Sequence, residues 1–259
     1  MEKVALDPKT LIDSSPELGS PPVVYVRLME VIDDPTKGAH DVADVISLDA
    51  ALTVRLLRLV NSAAFAHRRQ IDSVSQAVGV LGTTGLRDLA LATSVTTFFK
   101  DVPPELIHAD DFWRHSLATG VAAKVIAGLR NERNADRFFV AGLLHDIGRL
   151  VLYLGAPEEA RTILDHALEK EISLFEAERE LVGFDHGAIG GALMAHWNMP
   201  DALAQSITHH HSPGATKAFA VEASTVHLAD IFAHELALGR SGESRVPTRQ
   251  EGAMDRLGI

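Results

Sequence analysis

Phe138-Phe139-Val140-Ala141-Gly142-Leu143-Leu144-His145-Asp146-Ile147-Gly148 is an apolar run that delivers an imidazole and a carboxylate side by side. Its spacing predicts a helix over 136–154 with both polar side chains inside it. Neighbouring helical positions diverge by about 100°, so His145 and Asp146 do not form an i,i+4 clamp. They can instead offer one ring nitrogen and one carboxylate to a shared pocket, the carboxylate being able to bridge two metals. The same pair also suits a hydrogen-bonded core contact. Either way it needs partners, because a buried unpaired polar group costs about 1–3 kcal/mol.

The sequence on both sides of this run also reads as helices. Val42, Val45, Ile46, Leu52, Leu56, Leu59 and Val60 predict one amphipathic helix ending near Asn61-Ser62. Val74, Ala77, Val78 and Leu81 share a face of a second, and Gly82 and Gly85 bracket a turn before a third that runs through Phe98-Phe99. Val23 to Val26 has strand composition, but Leu28, Met29, Val31 and Ile32 continue it at helical spacing. Pro103-Pro104 breaks the chain where the composition turns His-rich and acidic. The expectation is an all-α fold: an N-terminal helical lobe over 1–103, packed on a multi-helix bundle over 104–238. Bundle helices are predicted near 110–130, 136–154, 157–170, 173–182, 186–196, 200–210 and 218–238. Gly239 to Val246 reads as a loose connection in a tail over 239–259, with a terminal helix near 251–257.

The chain has 259 residues, 46% of them hydrophobic, which is enough to bury a large core without staples. It has no Cys, so a metal would have to be held by His, Asp or Glu. A net charge of −11 and the lack of a recognisable helix-turn-helix pattern disfavour nucleic acid as a partner. Only residues 41–100, with 6 basic and 5 acidic side chains, are not acidic, which leaves a local anionic contact open there. His67-Arg68-Arg69 in that stretch reads as a solvated turn or an anion site. The start has no signal-peptide core and no uncharged apolar stretch approaches ~18 residues, so a cytoplasmic protein with no membrane contact is expected.

Of 13 histidines, 11 lie between His108 and His234, and several recur on or beside predicted apolar helix faces. They are His115, His145, His186 and the run His209-His210-His211, with Asp230 following in His227-Leu228-Ala229-Asp230. Imidazoles and carboxylates without thiolates suit Fe, Mn, Zn or Ni. Two such ions about 3.5–4 Å apart would fit phosphoester hydrolysis. A purely structural polar network fits the same residues. His166 and His234, among charged neighbours, read as solvated; His196 and Trp197 read as packing. Asp185 reads either as a support for His186 or as an exposed turn residue, and His209 as a ligand only if the register shifts by one.

The order His115, His145-Asp146, His186, His210-His211, Asp230 resembles the HD superfamily of metal-dependent phosphohydrolases, and its full set looks like that of HD-GYP cyclic-dinucleotide phosphodiesterases. The chain as a whole, over roughly 20–235, resembles the HDOD group of bacterial signalling output domains. That likeness lies in Leu56-Leu57-Arg58-Leu59-Val60-Asn61-Ser62-Ala63, in Ile71 to Val78 with Leu81-Gly82, and in Ala195-His196-Trp197-Asn198-Met199-Pro200 before His210-His211-Ser212-Pro213. The resemblance implies an HD-like bundle whose metal ligands are His115, His145, Asp146, His186, His210, His211 and Asp230, holding one or two divalent transition metals. It implies a signalling role with protein partners, and as the alternative a metal-dependent phosphohydrolase acting on a nucleotide or other phosphate ester. In that alternative Asp146 and Arg149 are the catalytic residues, Arg149 steadying a phosphate. Two departures stand out: Arg149 replaces the usual Lys, and Ser212-Pro213-Gly214 stands where the Gly-Tyr-Pro motif belongs.

Overall fold

The computed structural model describes residues 6–14, 18–63, 65, 69–99 and 101–259. His67 and Arg68 of the basic cluster lie outside these. Among the described residues every regular element is helical, and the chain forms two compact units.

Ser20–Phe98 is the smaller unit. Here α2 (Val23–Asp33), α3 (Ala39–Ser47) and α4 (Ala50–Val60) pack against the long α5 (Val74–Val95). The predicted single helix from Val42 to Asn61 is in fact two. Asp49 breaks it, because its carboxylate accepts the Leu52 N–H at 2.8 Å and so caps the start of α4. Asn61 ends α4 and clasps the returning chain: its side chain donates to the Ile71 carbonyl and accepts the Ile71 N–H, both at 2.8 Å. Gly82, at φ +73°, lets the two halves of α5 meet at a kink.

The larger unit holds the remaining helices. The first, α1 (Pro8–Asp13), precedes the smaller unit in sequence yet packs on α8 and α11 of the larger one through Leu11 and Ile12. The others are α6 (Ala109–Leu129), α7 (Asp136–Leu144), α8 (Ile147–Gly155), α9 (Pro157–Lys170), α10 (Leu174–Leu181), α11 (His186–His196), α12 (Asp201–Thr208), α13 (Ala220–Glu235) and α14 (Ala253–Leu257). Asp136–Gly155 is apolar and long enough by composition to cross a membrane, but 89% of it is buried inside the protein. It is also not one helix, as the spacing predicts. The helix stops at Leu144 and restarts at Ile147. His145 Nδ1 takes the Gly142 carbonyl oxygen at 2.7 Å, a local bond that competes with the helical ladder.

Two close crossings fix the helices around this break. A Cβ at Gly142 would lie 2.8 Å from the Thr119 carbonyl oxygen, and one at Gly120 would lie 2.8 Å from that of Phe139. Backbone therefore meets backbone where α6 crosses α7. At the second crossing, a Cβ on Gly148 would run into the His186 carbonyl, so α8 and α11 also touch through main chain. The first crossing brings His115 up to His145, and the second brings His186 up to Asp146.

Candidate metal centre

Each ligand-type side chain comes from a helix or a helix end. His115 is buried midway along α6; His145 and Asp146 occupy the α7–α8 break; His186 opens α11. His210 and His211 follow the end of α12, and Asp230 lies on α13. All seven are at most 3% exposed.

Among the described residues, two donor groups share Asp146, and a third joins His115, Asp230 and His234. Asp146, His186, His210 and His211 each place one donor atom within 4.8 Å of the others, and His115, His145 and Asp146 do the same. Asp146 Oδ1 lies 3.0 Å from His186 Nε2 and 3.8 Å from His210 Nε2, whereas Oδ2 lies 3.3 Å from His145 Nε2 and 3.9 Å from His115 Nε2. Asp230 Oδ1 adds to the second group, 3.1 Å from His115 and 3.4 Å from His145.

Three of the rings are held by Nδ1 so that Nε2 faces inward. His145 Nδ1 faces the Gly142 carbonyl, His210 Nδ1 the Ile207 carbonyl at 2.6 Å, and His186 Nδ1 the Glu178 carboxylate at 2.7 Å. Those acceptors keep the proton on Nδ1, so each neutral ring turns a lone pair on Nε2 toward the centre. His186 and His210 then set two lone pairs 3.2 Å apart, and His211 brings a third nitrogen to 2.9 Å from His186. Nitrogens so arranged suit a shared positive charge, either a proton or a cation, among them. Asp146 also occupies the N-cap position of α8, yet its carboxylate makes no cap bond, and both oxygens are buried without a hydrogen bond. A buried carboxylate in that state is costly unless a positive charge is shared with it. The donor set, all oxygen and imidazole nitrogen, fits one or two divalent transition metals.

The electrostatics agree. Burial disfavours charge on His145, but the Asp146 and Asp230 carboxylates outweigh it and push the ring up to about 10. Burial and Arg149 oppose protonation of His186, but Glu178 and Asp146 carry it up to about 9. Burial and the two charged neighbours His145 and His186 push His210 down to about 3. Burial works against ionised Asp146, but Arg149 and His145 hold it well below the ordinary carboxylate range. In the metal-free protein, protons on His145 and His186 thus stand in for the missing charge. Metal must displace them, so binding at pH 7.5 is expected to release roughly two protons and to tighten as pH rises toward 9. Calorimetry in buffers of different ionisation enthalpy measures that release. Both folded values lie above the ordinary 6.5, so this contribution to metal-free stability is complete below pH 6.5 and is lost as pH rises through 9 to 10. The melting temperature of the metal-free protein should therefore fall over that interval.

Some residues lie elsewhere than their spacing suggests. His234 is not solvated: its side chain is 8% exposed, its Nε2 is 3.3 Å from Asp230 Oδ1, and its ring lies 4.4 Å from that of His115. Helical spacing of i,i+4 from Asp230 is the signal that locates it. His196 is exposed, and only Trp197 packs, donating to the Leu18 carbonyl at 2.8 Å. Asp185 caps α11 and pairs with Arg179; the imidazole of His186 is held by Glu178, which also accepts the His186 N–H at 2.7 Å. Glu178 falls on the face of α10 that carries Leu174 and Ala177, and a carboxylate on an apolar face is a readable mark. His209 stands outside the donor groups.

Arg149 is 1% exposed. It donates to both the carbonyl and the hydroxyl of Ser241 at 2.9 Å, and its Nε lies 3.4 Å from Asp146 Oδ1. The stretch Gly239 to Val246 is not loose here: Ser241 and Glu243 are buried, and Glu243 accepts the Leu174 N–H at 2.7 Å.

The HDOD domain family model matches residues 18–213. An HDOD domain protein of unknown function from Geobacter sulfurreducens is 26% identical, with a TM-score of 0.75 over 97% of this chain and 88% of its own. A candidate phosphohydrolase from Shewanella amazonensis SB2B, 24% identical, has the same fold at a TM-score of 0.75, with 96% of this chain and 88% of that one covered. An uncharacterised protein of Treponema pallidum (strain Nichols) is 28% identical over 88% of this chain, which spans only 44% of that relative's length.

Proposed function

For a chain that belongs to the HDOD domain family, we propose a regulatory role in signal transduction, built around a buried centre that holds one or two divalent transition metals. His145, Asp146, His115 and Asp230 would hold one ion, and Asp146 with His186, His210 and His211 a second. The observation that carries this reading is the combination of a full His/Asp set with full burial. Every donor is present, and none is more than 3% exposed. A centre closed in this way supports holding a state and passing it to a protein partner better than it supports turning over a substrate.

The second reading is a phosphohydrolase, favoured by Asp146 standing between two donor groups. A bound divalent ion would supply Lewis acidity toward a phosphate ester. The chain's own part would be to hold Asp146 between the groups, to fix the imidazole tautomers through Glu178 and the Gly142 and Ile207 carbonyls, and to set the Arg149 guanidinium beside Asp146 as the phosphate contact. The missing Gly-Tyr-Pro motif counts against cyclic dinucleotides as its substrates.

The test is elemental analysis of protein purified without chelator, followed by assays with Fe, Mn, Zn and Ni loaded separately. Cyclic di-GMP, simple nucleotides and a generic phosphodiester are offered to each form. Bound metal with no turnover is the expected result. Turnover lost in both His145→Ala and Asp146→Ala would replace the regulatory reading with the hydrolase. Protein free of metal, with a melting curve that metal does not move, would overturn both.

A further inference from the structure

The segment that follows α13 lies across Arg149, the guanidinium beside Asp146, and sets a carboxylate against it. From Leu238 the chain turns at Gly239, whose φ of +84° lets its backbone lie against the Asp111 carbonyl and the His115 amide. Arg240 N–H then donates to the Asp111 carbonyl at 3.1 Å. Ser241 is fully buried and takes Arg149 Nη1 on its carbonyl and its hydroxyl, both at 2.9 Å. Gly242, at φ +96°, passes so close to Tyr153 that a Cβ would lie 2.7 Å from the hydroxyl. Glu243 ends the crossing with a buried side chain: its Oε2 accepts the Leu174 N–H at 2.7 Å and lies 3.9 Å from Arg149 Nη2. Its Oε1 accepts the N–H groups of Ser244 and Arg245 at 3.0 and 3.2 Å, which hold the carboxylate in this pose.

The donors gathered there exceed what the segment uses. The Tyr153 hydroxyl is buried without a hydrogen-bond partner, in a residue 2% exposed, and Arg149 Nη2 reaches Glu243 only at 3.9 Å, its Nε facing Asp146 instead. Leu174 is the first residue of α10, so its N–H is one that the helix leaves without an internal partner. A guanidinium 3.9 Å from the Glu243 carboxylate, a helix-start N–H bonded to it and an unpartnered phenol against the neighbouring Gly242 make a site for an oxyanion with more oxygens than a carboxylate has.

We propose that residues Gly239 to Glu243 form an internal strap in which Glu243 occupies, in cis, a binding site for a phosphate group formed by Arg149, Tyr153 and the Leu174 N–H. Strap and phosphate are mutually exclusive occupants. The ligand class is a free phosphate or a small phosphate ester, and binding it lifts the strap. Outward of the strap lies a cleft of about 240 Å³ lined by Leu106, Ile107, His108, Asp111, Arg240 and Gly242, which leaves room for that movement. The proposal rests on the reading of Arg149 as the phosphate contact; it does not require that metal be bound.

The experiment titrates inorganic phosphate and, separately, phenyl phosphate into the full chain. In wild type, amide hydrogen exchange at Ser244 and Arg245 should quicken as phosphate displaces Glu243, while Leu174, whose N–H passes to the phosphate, should stay protected. Glu243→Gln keeps the shape and removes the competing charge, so it should bind phosphate at least ~10-fold more tightly than wild type. The double variant Glu243→Gln with Arg149→Gln should lose that gain. Binding of either probe with this pattern supports the strap. A folded Glu243→Gln that gains no phosphate binding, or whose gain survives the loss of Arg149, overturns it. If Glu243→Gln does not fold, unchanged exchange in wild type at saturating phosphate overturns it alone. Metal content is measured on the same samples: metal-free protein with the expected phosphate pattern would fail the metal reading and leave the strap standing.

Discussion

Gly148→Ala is expected to empty the centre without altering a single ligand. The new methyl would run into the His186 carbonyl, which is main chain and cannot swing aside, so α8 and α11 must separate. Forced overpacking of this kind costs about 1–3 kcal/mol or more. The larger consequence is geometric: His186 rides on α11 and Asp146 on the start of α8, so the 3.0 Å approach between them opens. Urea denaturation should show the loss of stability, and elemental analysis a fall in bound metal to less than about half. Gly128→Ala is the matched control, on an open face of α6 where a Cβ meets nothing within 4 Å. There the change should stabilise by up to ~1 kcal/mol, through helix propensity alone. Wild-type metal content and stability in Gly148→Ala would show that the close crossing does not position the ligands.

Asp146→Asn should have the largest effect on metal itself. The amide keeps the volume but removes the charge that both donor groups share, and it places N–H groups where lone pairs are required. Affinity is expected to fall by at least ~100-fold at both positions together, more than outer-shell changes cost. His115→Ala is the contrast, since it leaves Asp146, His186, His210 and His211 intact. Metal titration followed by elemental analysis separates the two variants. Full stoichiometry in Asp146→Asn, or a loss in His115→Ala as complete as in Asp146→Asn, would refute a carboxylate shared between two groups.

Helical period made the all-α fold readable, and the order of imidazoles the buried His/Asp cluster. α9 and α11 follow their predicted spans because Pro157 starts one and Asp185 caps the other, both local signals. What could not be read depends on contacts distant in sequence. Asp136–Gly155 is apolar on nearly all sides, so no periodicity marks the break at His145 and Asp146. The break is imposed by a ring-to-carbonyl bond and by the two glycine crossings. His234 has charged neighbours in sequence and imidazole neighbours in space. Gly239 to Glu243 has the composition of a linker, since glycine and serine serve equally where a chain must bend freely and where it must press against another backbone.

Glu243 takes the N–H of Leu174, and Glu178, one helical turn further along α10, holds His186 by both its backbone and its ring. The two grips therefore belong to one short, stiff segment, about 6 Å apart along its axis. Thermodynamic reciprocity follows from that sharing. If freeing one end of α10 loosens the hold on His186, then filling the metal position must, by the same free energy, tighten the hold at the other end. Occupancy of the ion position and occupancy of the phosphate position would then be written in each other's affinities. Where phosphate grips the Leu174 N–H less firmly than Glu243 does, the sign is negative: each occupant should weaken the other by the same factor, whichever is added first.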